Sequence, residues 1–225
     1  MSNATKTAPP AKAARTSAEG RAAGRTNRSE RAAERRAAIV EAALDEFVAR
    51  GFTATRLDDV ARRAGVAKGT IYLHFKDKEA LFEELVRTAI VPVLERITTP
   101  PPATGSIRDA LEAFANTFIQ EVAATRRADI IRLIVAEGPR FPAIADFYYR
   151  EVISRGLAAM RGLIEAGIAR GEIREAKLKD FPQIVVAPAI VAIIWKSLFD
   201  RHAPLDAVEM LRTHLDLIFG ERRVT

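Results

Sequence analysis

The stretch of sequence that decides the fold is residues 57–75, LDDVARRAGVAKGTIYLHF. Counted from its first residue, a small side chain stands fifth (Ala61), a glycine ninth (Gly65) and an isoleucine fifteenth (Ile71). Two helices that cross steeply leave room for only a small side chain at their closest approach, and the turn between them needs a residue that tolerates positive φ. With Val66 and Ile71 filling the wedge, the spacing predicts a helix-turn-helix unit.

The outward side of the second helix of this unit carries no acidic residue, and most of its side chains donate hydrogen bonds. These residues are Lys68, Gly69, Thr70, Tyr72, His74 and Lys76. Such a face is expected for contact with phosphate oxygens and base edges in the major groove of a duplex. The pattern favours binding of double-stranded DNA over the alternative, a helical hairpin from an unrelated class of protein.

The residues before the unit predict one further helix. Ile39, Ala42, Ala43 and Phe47 fall on one helical face, which is expected to end near Gly51. Thr55 followed three residues later by Asp58 fits the capping-box pattern, so we expect the Thr55 hydroxyl to cap the next helix.

Beyond the unit nearly every segment has helical periodicity. Asp77 predicts the start of a fourth helix that reaches about Ile97 and bends at Pro92. Further helices are expected over residues 111–122, 130–137, 142–170, 180–201 and from Pro204 onward. The proline-rich stretch 98–105 separates the two halves. With no period-two alternation, the sequence predicts an all-α chain of about nine helices.

From residue 36 to residue 81 the chain resembles the tetracycline-repressor (TetR) family of bacterial transcriptional regulators. The residues that carry the resemblance are Ile39, Ala42-Ala43, Phe47, Gly51-Phe52, Thr53 to Thr55, Val60-Ala61, Ala64-Gly65-Val66, Lys68 to Tyr72, Phe75, Lys78-Glu79 and Leu81. The resemblance implies a three-helix DNA-reading head over 28–81 and a helical ligand-binding and dimerising body over 82–225. It implies a sequence-specific regulator, most often a repressor released from its operator by a small molecule.

The resemblance also implies roles for individual residues of the head. Phosphates are expected at Thr55, Tyr72, His74 and Lys76, with Arg56 among the DNA contacts, and base edges at Lys68, Gly69 and Thr70. One residue departs from the family pattern. Ala67 stands where a hydroxyl residue is frequent, and a missing helix cap costs about 1 kcal/mol.

The positive charge of the chain is concentrated at its N-terminal end. Residues 1–36 hold nine basic and three acidic side chains, whereas the remaining residues hold 26 of each. Residues 1–27 have no large apolar side chain, so we expect a disordered basic arm. Such an arm suits contact with DNA phosphates or a minor groove, and a solvated tail without a partner is the alternative.

The last two helices are expected to pair with a second copy of the chain. Residues 184–195 are apolar nearly all round, so that helix needs cover on two sides. The final helix has an apolar seam of its own. The expected homodimer interface comprises Ile184, Val191, Val208, Leu211, Leu215 and Ile218, against the alternative of a monomer core. A two-fold dimer would match a pseudo-palindromic operator.

Aromatic and methionine side chains of the C-terminal half are the candidates for a ligand pocket. They are Phe114, Phe118, Phe141, Phe147, Tyr148, Tyr149, Met160 and Trp195. Tyr148, Tyr149 and Trp195 are favoured because a buried hydroxyl or indole N–H needs a partner. The alternative for each of these residues is an ordinary position in the hydrophobic core. Charges in this region lie at helix-surface positions, so the expected effector is small and largely apolar.

Other classes of protein fit the sequence less well. The chain has no cysteine, and its three histidines are scattered without metal-binding spacing, so no metal site, cofactor or catalytic residue is expected. A twelve-residue apolar run is too short to cross a bilayer, which needs roughly 18 residues, and no signal core precedes it. We therefore expect a cytoplasmic protein that associates with the nucleoid when bound to DNA. A DNA-binding adaptor without ligand response, and a helical enzyme, remain the alternatives.

Overall fold

The computed structural model describes the backbone of residues 12–98 and 105–219 and the side chains from Glu30 onward within those ranges. Its elements are α1 (Lys12–Ala54), α2 (Leu57–Arg63), α3 (Lys68–His74), α4 (Lys78–Ala89), α5 (Val91–Ile97), α6 (Ile107–Phe118) with a π-helical turn (Ile119–Ala123), α7 (Arg127–Glu137), α8 (Pro142–Tyr148) with a second π-helical turn (Tyr149–Ile153), α9 (Ser154–Ala169), a 3₁₀ turn (Ala176–Asp180), α10 (Gln183–Leu198) and α11 (Ala207–Phe219). The described ranges contain no strand, which confirms the all-α prediction. In the part of the chain that the structure describes, nine helices result when α4–α5 and α8–α9 are each taken as one bent helix.

The turn between α2 and α3 is closed by the glycine that the sequence marks. Gly65 has a φ of +67°, and the N–H of Val66 donates to the carbonyl of Ala61 at 3.0 Å. The N–H of Gly65 also donates to Arg62 O, so the two bonds form the Schellman arrangement that ends helices. Ala61 and Ile71 are buried where the helices meet. The predicted helix-turn-helix is confirmed.

The first helix is longer than expected and is interrupted near its end. Gly51 has φ 76° and ψ 164°, so the regular helix stops at the glycine where the sequence predicts it. Toward the N-terminus the backbone is helical from Lys12, whereas we expected residues 1–27 to be disordered. Alanine and arginine, both strong helix formers, make up half of residues 12–27. Residues 1–11 of the expected arm lie outside the described residues.

The fourth predicted helix is divided into α4 and α5. Asp77 caps α4 as predicted, accepting from the N–H of Ala80 at 2.7 Å. The break lies at Ile90 and precedes Pro92, because proline has no N–H to donate and its ring clashes with the carbonyl four residues earlier. The hinge therefore lies where α4 leaves the N-terminal helices.

One continuous core joins the N-terminal helices to the C-terminal half. Helix α1 packs on α2, α4 and α7, and α4 also packs on α8. The buried cluster that contains Phe47 and Phe82 also contains Ile144 and Phe147 of α8. Phe52 packs edge-on against Phe141 with ring centroids 4.8 Å apart. The boundary expected between residues 81 and 82 is thus crossed by a helix and by the core.

The C-terminal helices use part of their expected dimer seam within the chain. Helix α11 packs on α6 and α10, which buries Leu211 and Leu215, and Ile218 packs against the same core. Leu211 and Leu215 are therefore core residues, contrary to the prediction, and Ile218 is half-buried against the cluster that contains Leu215. The most regular apolar row of α11 faces inward because α6 packs against that side of the helix. Ile184, Val191 and Val208 remain exposed, together with three residues that the sequence analysis missed, Leu198, Phe199 and Leu217.

The interruption at Gly51 makes a stability prediction. Its backbone lies in a region that only glycine adopts without strain, and an added Cβ would stand 2.9 Å from Oε1 of Glu137. We expect Gly51→Ala to lower the free energy of unfolding by about 1–3 kcal/mol in urea titrations. Gly69→Ala is the matched control, since Gly69 is helical with open space around it, and it should gain up to about 1 kcal/mol. A Gly51→Ala protein as stable as the wild type would contradict the assignment.

Candidate nucleic-acid interface and cavity

Helix α3 presents a row of exposed polar side chains away from the core. Ile71 is fully buried beneath it, whereas Lys68, Gly69, Tyr72 and Lys76 are exposed. Thr70 and His74 are half-buried at the edges of this face. The structure thus brings six of the eight predicted contact residues onto one surface.

An acidic side chain from the neighbouring helix also belongs to this surface. Asp58 of α2 accepts from Nζ of Lys68 at 2.7 Å and from the hydroxyl of Tyr72 at 3.2 Å. The hydrogen bond from Lys68 is the main cause that lowers the pKa of Asp58. The α3 face is therefore not composed of donors alone. Sequence reasoning missed this carboxylate because residues 58 and 68 lie on different helices.

Thr55 does not have the role that the sequence predicts. It is buried, and its hydroxyl donates to the backbone carbonyls of Gly51 at 2.8 Å and Glu46 at 3.1 Å. The N-cap of α2 is Arg56, whose side chain makes no capping bond and is exposed. The predicted capping box is wrong, because the hydroxyl satisfies the end of α1 instead. The phosphate contact of Thr55 stays a prediction that the burial of its side chain disfavours.

The start of α3 has the form that the sequence predicts. Ala67 is its N-cap in extended conformation, and no side chain caps the helix. The first amides of α3 consequently keep no side-chain partner from the cap residue.

Leu73 is the exposed residue of α3 that the sequence analysis missed. It is 85% exposed, the largest exposed fraction among the large apolar side chains of the described residues. The signal was available, since a residue two positions from buried Ile71 lies on the opposite side of a helix. An apolar side chain in this place can contact the methyl group of thymine.

The C-terminal half contains an apolar cavity of about 500 Å³ that is partly open to solvent. It lies among α5, α6, α7, α8, α9 and α10, and its walls are almost wholly aliphatic or aromatic. Three predicted residues line it, Phe114, Phe118 and Tyr148. Sequence reasoning missed the α5 and α10 walls, which include Val93, Leu94, Val186 and Ile190. Val191, predicted at a dimer interface, also lines the cavity.

Five predicted pocket residues lie elsewhere. Phe147 is core, with the guanidinium of Arg87 over its ring, and Tyr149 is exposed. Phe141 packs on Phe52. The Trp195 indole N–H donates to the carbonyl of Ala203 at 2.7 Å, so it already has its partner. Met160 borders a neighbouring cavity of about 370 Å³. Helical spacing predicted which helices carry these residues, but it did not predict which face of each helix is turned toward the cavity.

No group of His, Cys, Asp or Glu in the described residues is arranged to hold a metal ion. No helix among them is long and apolar enough to cross a membrane.

Comparison with known proteins gives the same family for both halves. Residues 39–85 match the model of bacterial regulatory proteins of the tetR family, and residues 101–214 match a tetracyclin repressor-like C-terminal domain. The HTH-type transcriptional repressor BepR of Brucella suis is 34% identical over 154 residues, which cover 63% of this chain and 70% of BepR. Other curated regulators are matched over 61% of their own length. These relatives are regulators rather than enzymes.

Solved structures share the fold. The fatty acid degradation regulator FadR from Bacillus halodurans superposes with a TM-score of 0.66 at 20% identity, over 84% of this chain and 96% of that one. FadR from Bacillus subtilis, solved in complex with stearoyl-CoA, superposes with a TM-score of 0.62 at 20% identity, over 81% and 97% of the two chains.

The hydroxyl of Thr55 supplies a second stability prediction. Thr55→Val keeps the shape but removes both hydrogen bonds, so the free energy of unfolding should fall by about 1–2 kcal/mol in urea titrations. Thr55→Ser retains the donor and is the control, with the smaller loss. If Thr55→Val had wild-type stability and its DNA binding depended less on salt, Thr55 would instead be assigned to a phosphate contact.

Proposed function

Because the chain belongs to the TetR family of bacterial transcriptional regulators, we propose that it is a homodimeric repressor released from its operator by a small molecule. Residues 28–81 form the DNA-binding head, and residues 82–225 bind the effector and the second subunit. The observation that carries the proposal is the exposed row of hydrogen-bond donors on α3, held outward by the turn at Gly65. The protein acts on chromosomal DNA and therefore in the cytoplasm, at the nucleoid.

The α3 face divides into base and phosphate contacts. Lys68, Gly69 and Thr70, at the start of α3, reach base edges in the major groove. Arg56, Tyr72, His74 and Lys76 border them and hold phosphate oxygens. Open space around Gly69 allows the backbone to approach a base closely.

Asp58 modulates these contacts. In the DNA-free protein Asp58 accepts hydrogen bonds from Lys68 and Tyr72. When DNA binds, both side chains replace these hydrogen bonds to the carboxylate by contacts with DNA. A carboxylate left unpaired this close to a phosphate is unfavourable, so DNA contacts that do not repay the loss of both hydrogen bonds are penalised. This arrangement favours correct docking over indiscriminate binding.

The exposed apolar stripe of α10 and α11 supports the homodimer. Ile184, Val191 and Leu198 recur along α10 at helical spacing, and Val208 and Leu217 are exposed on α11. Contiguous apolar surface of this kind marks an interaction site in a monomer. A second copy of the chain covers the stripe and places two heads on the two half-sites of a pseudo-palindrome.

The cavity supports a response to an effector. Its volume lies within the range of small-molecule sites, about 300–1,000 Å³, and its apolar walls favour a small, largely apolar molecule. FadR of Bacillus subtilis, with the same fold, was solved with stearoyl-CoA. An effector that fits only a body with displaced heads shifts the population away from the DNA-bound state. Helix α4 transmits the change, since it joins the head to the α8 wall.

The basic N-terminal segment extends the DNA contacts. Residues 1–27 carry a surplus of Lys and Arg and directly precede the head in the sequence, which supports this contact. Attraction to phosphates raises the affinity of the head for any duplex.

Selection of bound sequences from random duplex DNA tests the proposal. Wild-type protein should recover one short pseudo-palindrome, and footprinting should show the same protected site. Leu73→Ala should recover a palindrome that has lost its preference for thymine at one position in each half-site. Uniform coverage without a selected sequence would favour the adaptor without ligand response.

Lys76→Ala tests the assignment of phosphate contacts. The Lys76 side chain is exposed, and its nearest carboxylate, on Asp77, is 3.7 Å away. Loss of one phosphate contact should weaken binding to all DNA sequences alike and reduce the slope of log affinity against log salt by about 1. Lys177→Ala, an exposed lysine of the body, should change neither quantity. A changed sequence preference with an intact salt slope would contradict the assignment.

A further inference from the structure

One residue of the cavity wall carries a polar group for which the described residues supply no hydrogen-bond partner. Tyr148 lines the cavity and is 6% exposed, yet its hydroxyl makes no hydrogen bond to any described residue. A hydroxyl without a partner in the protein is satisfied by water or by a bound molecule. The Tyr148 O–H is therefore a donor for an oxygen of the molecule that occupies the cavity.

The surroundings of Tyr148 exclude a charged ligand. None of the described residues that line the cavity is Asp, Glu, Lys, Arg or His. The other polar side chain is Gln183, which is exposed at the rim. Burial raises the pKa of Tyr148, so the phenol stays neutral. A carboxylate or an ammonium group placed here would be desolvated with no opposite charge, which is strongly unfavourable.

The backbone around the cavity is unusual in two places. Both π-helical turns of the described chain border it, through Val122 in the first and Val152 with Ile153 in the second. Such turns interrupt α-helices chiefly at functional sites. The second turn follows Tyr148 directly, so the irregular backbone and the unpartnered hydroxyl lie side by side.

Tyr148 also connects the cavity to the rest of the molecule. It belongs to the same buried cluster as Phe47 of α1 and Leu85 of α4. A molecule that binds the Tyr148 hydroxyl therefore contacts the same core as α4, the helix that joins the head to the body.

We propose that the effector is a neutral molecule with an apolar body and one hydrogen-bond acceptor, such as a ketone, ester or ether oxygen, and that Tyr148 is the residue that selects it. This inference rests on the proposed ligand response and names the chemical class to which that response is tuned. The apolar walls supply most of the affinity, and the hydroxyl supplies discrimination between molecules of one shape.

A pair of isosteric probes tests the inference. 2-Acetylnaphthalene carries a ketone oxygen, and 2-isopropenylnaphthalene has a methylene group in its place. In equilibrium dialysis with the full-length protein, the ketone should bind about two- to tenfold more tightly than the alkene. Tyr148→Phe should abolish this preference while leaving the affinity for the alkene unchanged. Tyr149→Phe, which alters an exposed neighbour, should keep the wild-type preference.

A variant of the cavity wall tests whether the probes bind in the cavity. Gly156→Leu adds a side chain to the cavity wall and should weaken both probes, with circular dichroism confirming the helical fold. A preference that survives Tyr148→Phe, equal binding of both probes by the wild type, or no binding of either would each overturn the inference. Binding unaffected by Gly156→Leu would also overturn it.

The proposed function is tested separately. Probes that release the selected DNA without a preference for the ketone leave the ligand-responsive repressor intact and remove only the role of Tyr148. Failure to select any DNA sequence removes the proposed function whatever the probes do.

Discussion

The packing of Phe52 is the interaction on which the rest of the structure depends. Its ring stacks on Phe47 with centroids 5.2 Å apart and meets Phe82 and Phe141 edge-on. Lys78 lies over the ring and donates to the Phe52 carbonyl at 2.7 Å. Burying one such side chain contributes about 1.5–3 kcal/mol, and each aromatic pair adds about 0.5–1.5 kcal/mol. This cluster fixes the end of α1 against both α4 and α8.

A head fixed in this way cannot move independently of the body. Close-packed interiors change between discrete arrangements rather than deforming continuously. A molecule in the cavity touches Tyr148, which is part of the same core as Phe47. The break at Ile90 is the place where α4 can change its angle to α5 without breaking a regular helix. The connection between effector and DNA is therefore made by shared packing, with no flexible linker between the two sites.

The two surfaces proposed to contact other molecules differ in polarity. The α3 face is polar, and Asp58 holds two of its donors in place before any partner arrives. The α10–α11 stripe is apolar and carries no such restraint, so its contribution grows with the area covered. In the proposed regulator, charge thus sets where and how the protein docks on DNA, whereas apolar area joins the subunits.

The sequence by itself determined the helical class, the helix-turn-helix, the turn at Gly65, the end of α1 at Gly51 and the cap at Asp77. Each of these follows from residues close together in the chain, because helical period, positive φ and capping are local properties. Only the tertiary structure decided that Thr55 is buried, that Asp58 joins Lys68 and Tyr72, that Leu211 and Leu215 face α6, and that Tyr148 rather than Trp195 lacks a partner. These outcomes depend on the angles at which separate helices cross. A periodic pattern shows which side of a helix is apolar, but not which neighbour covers it.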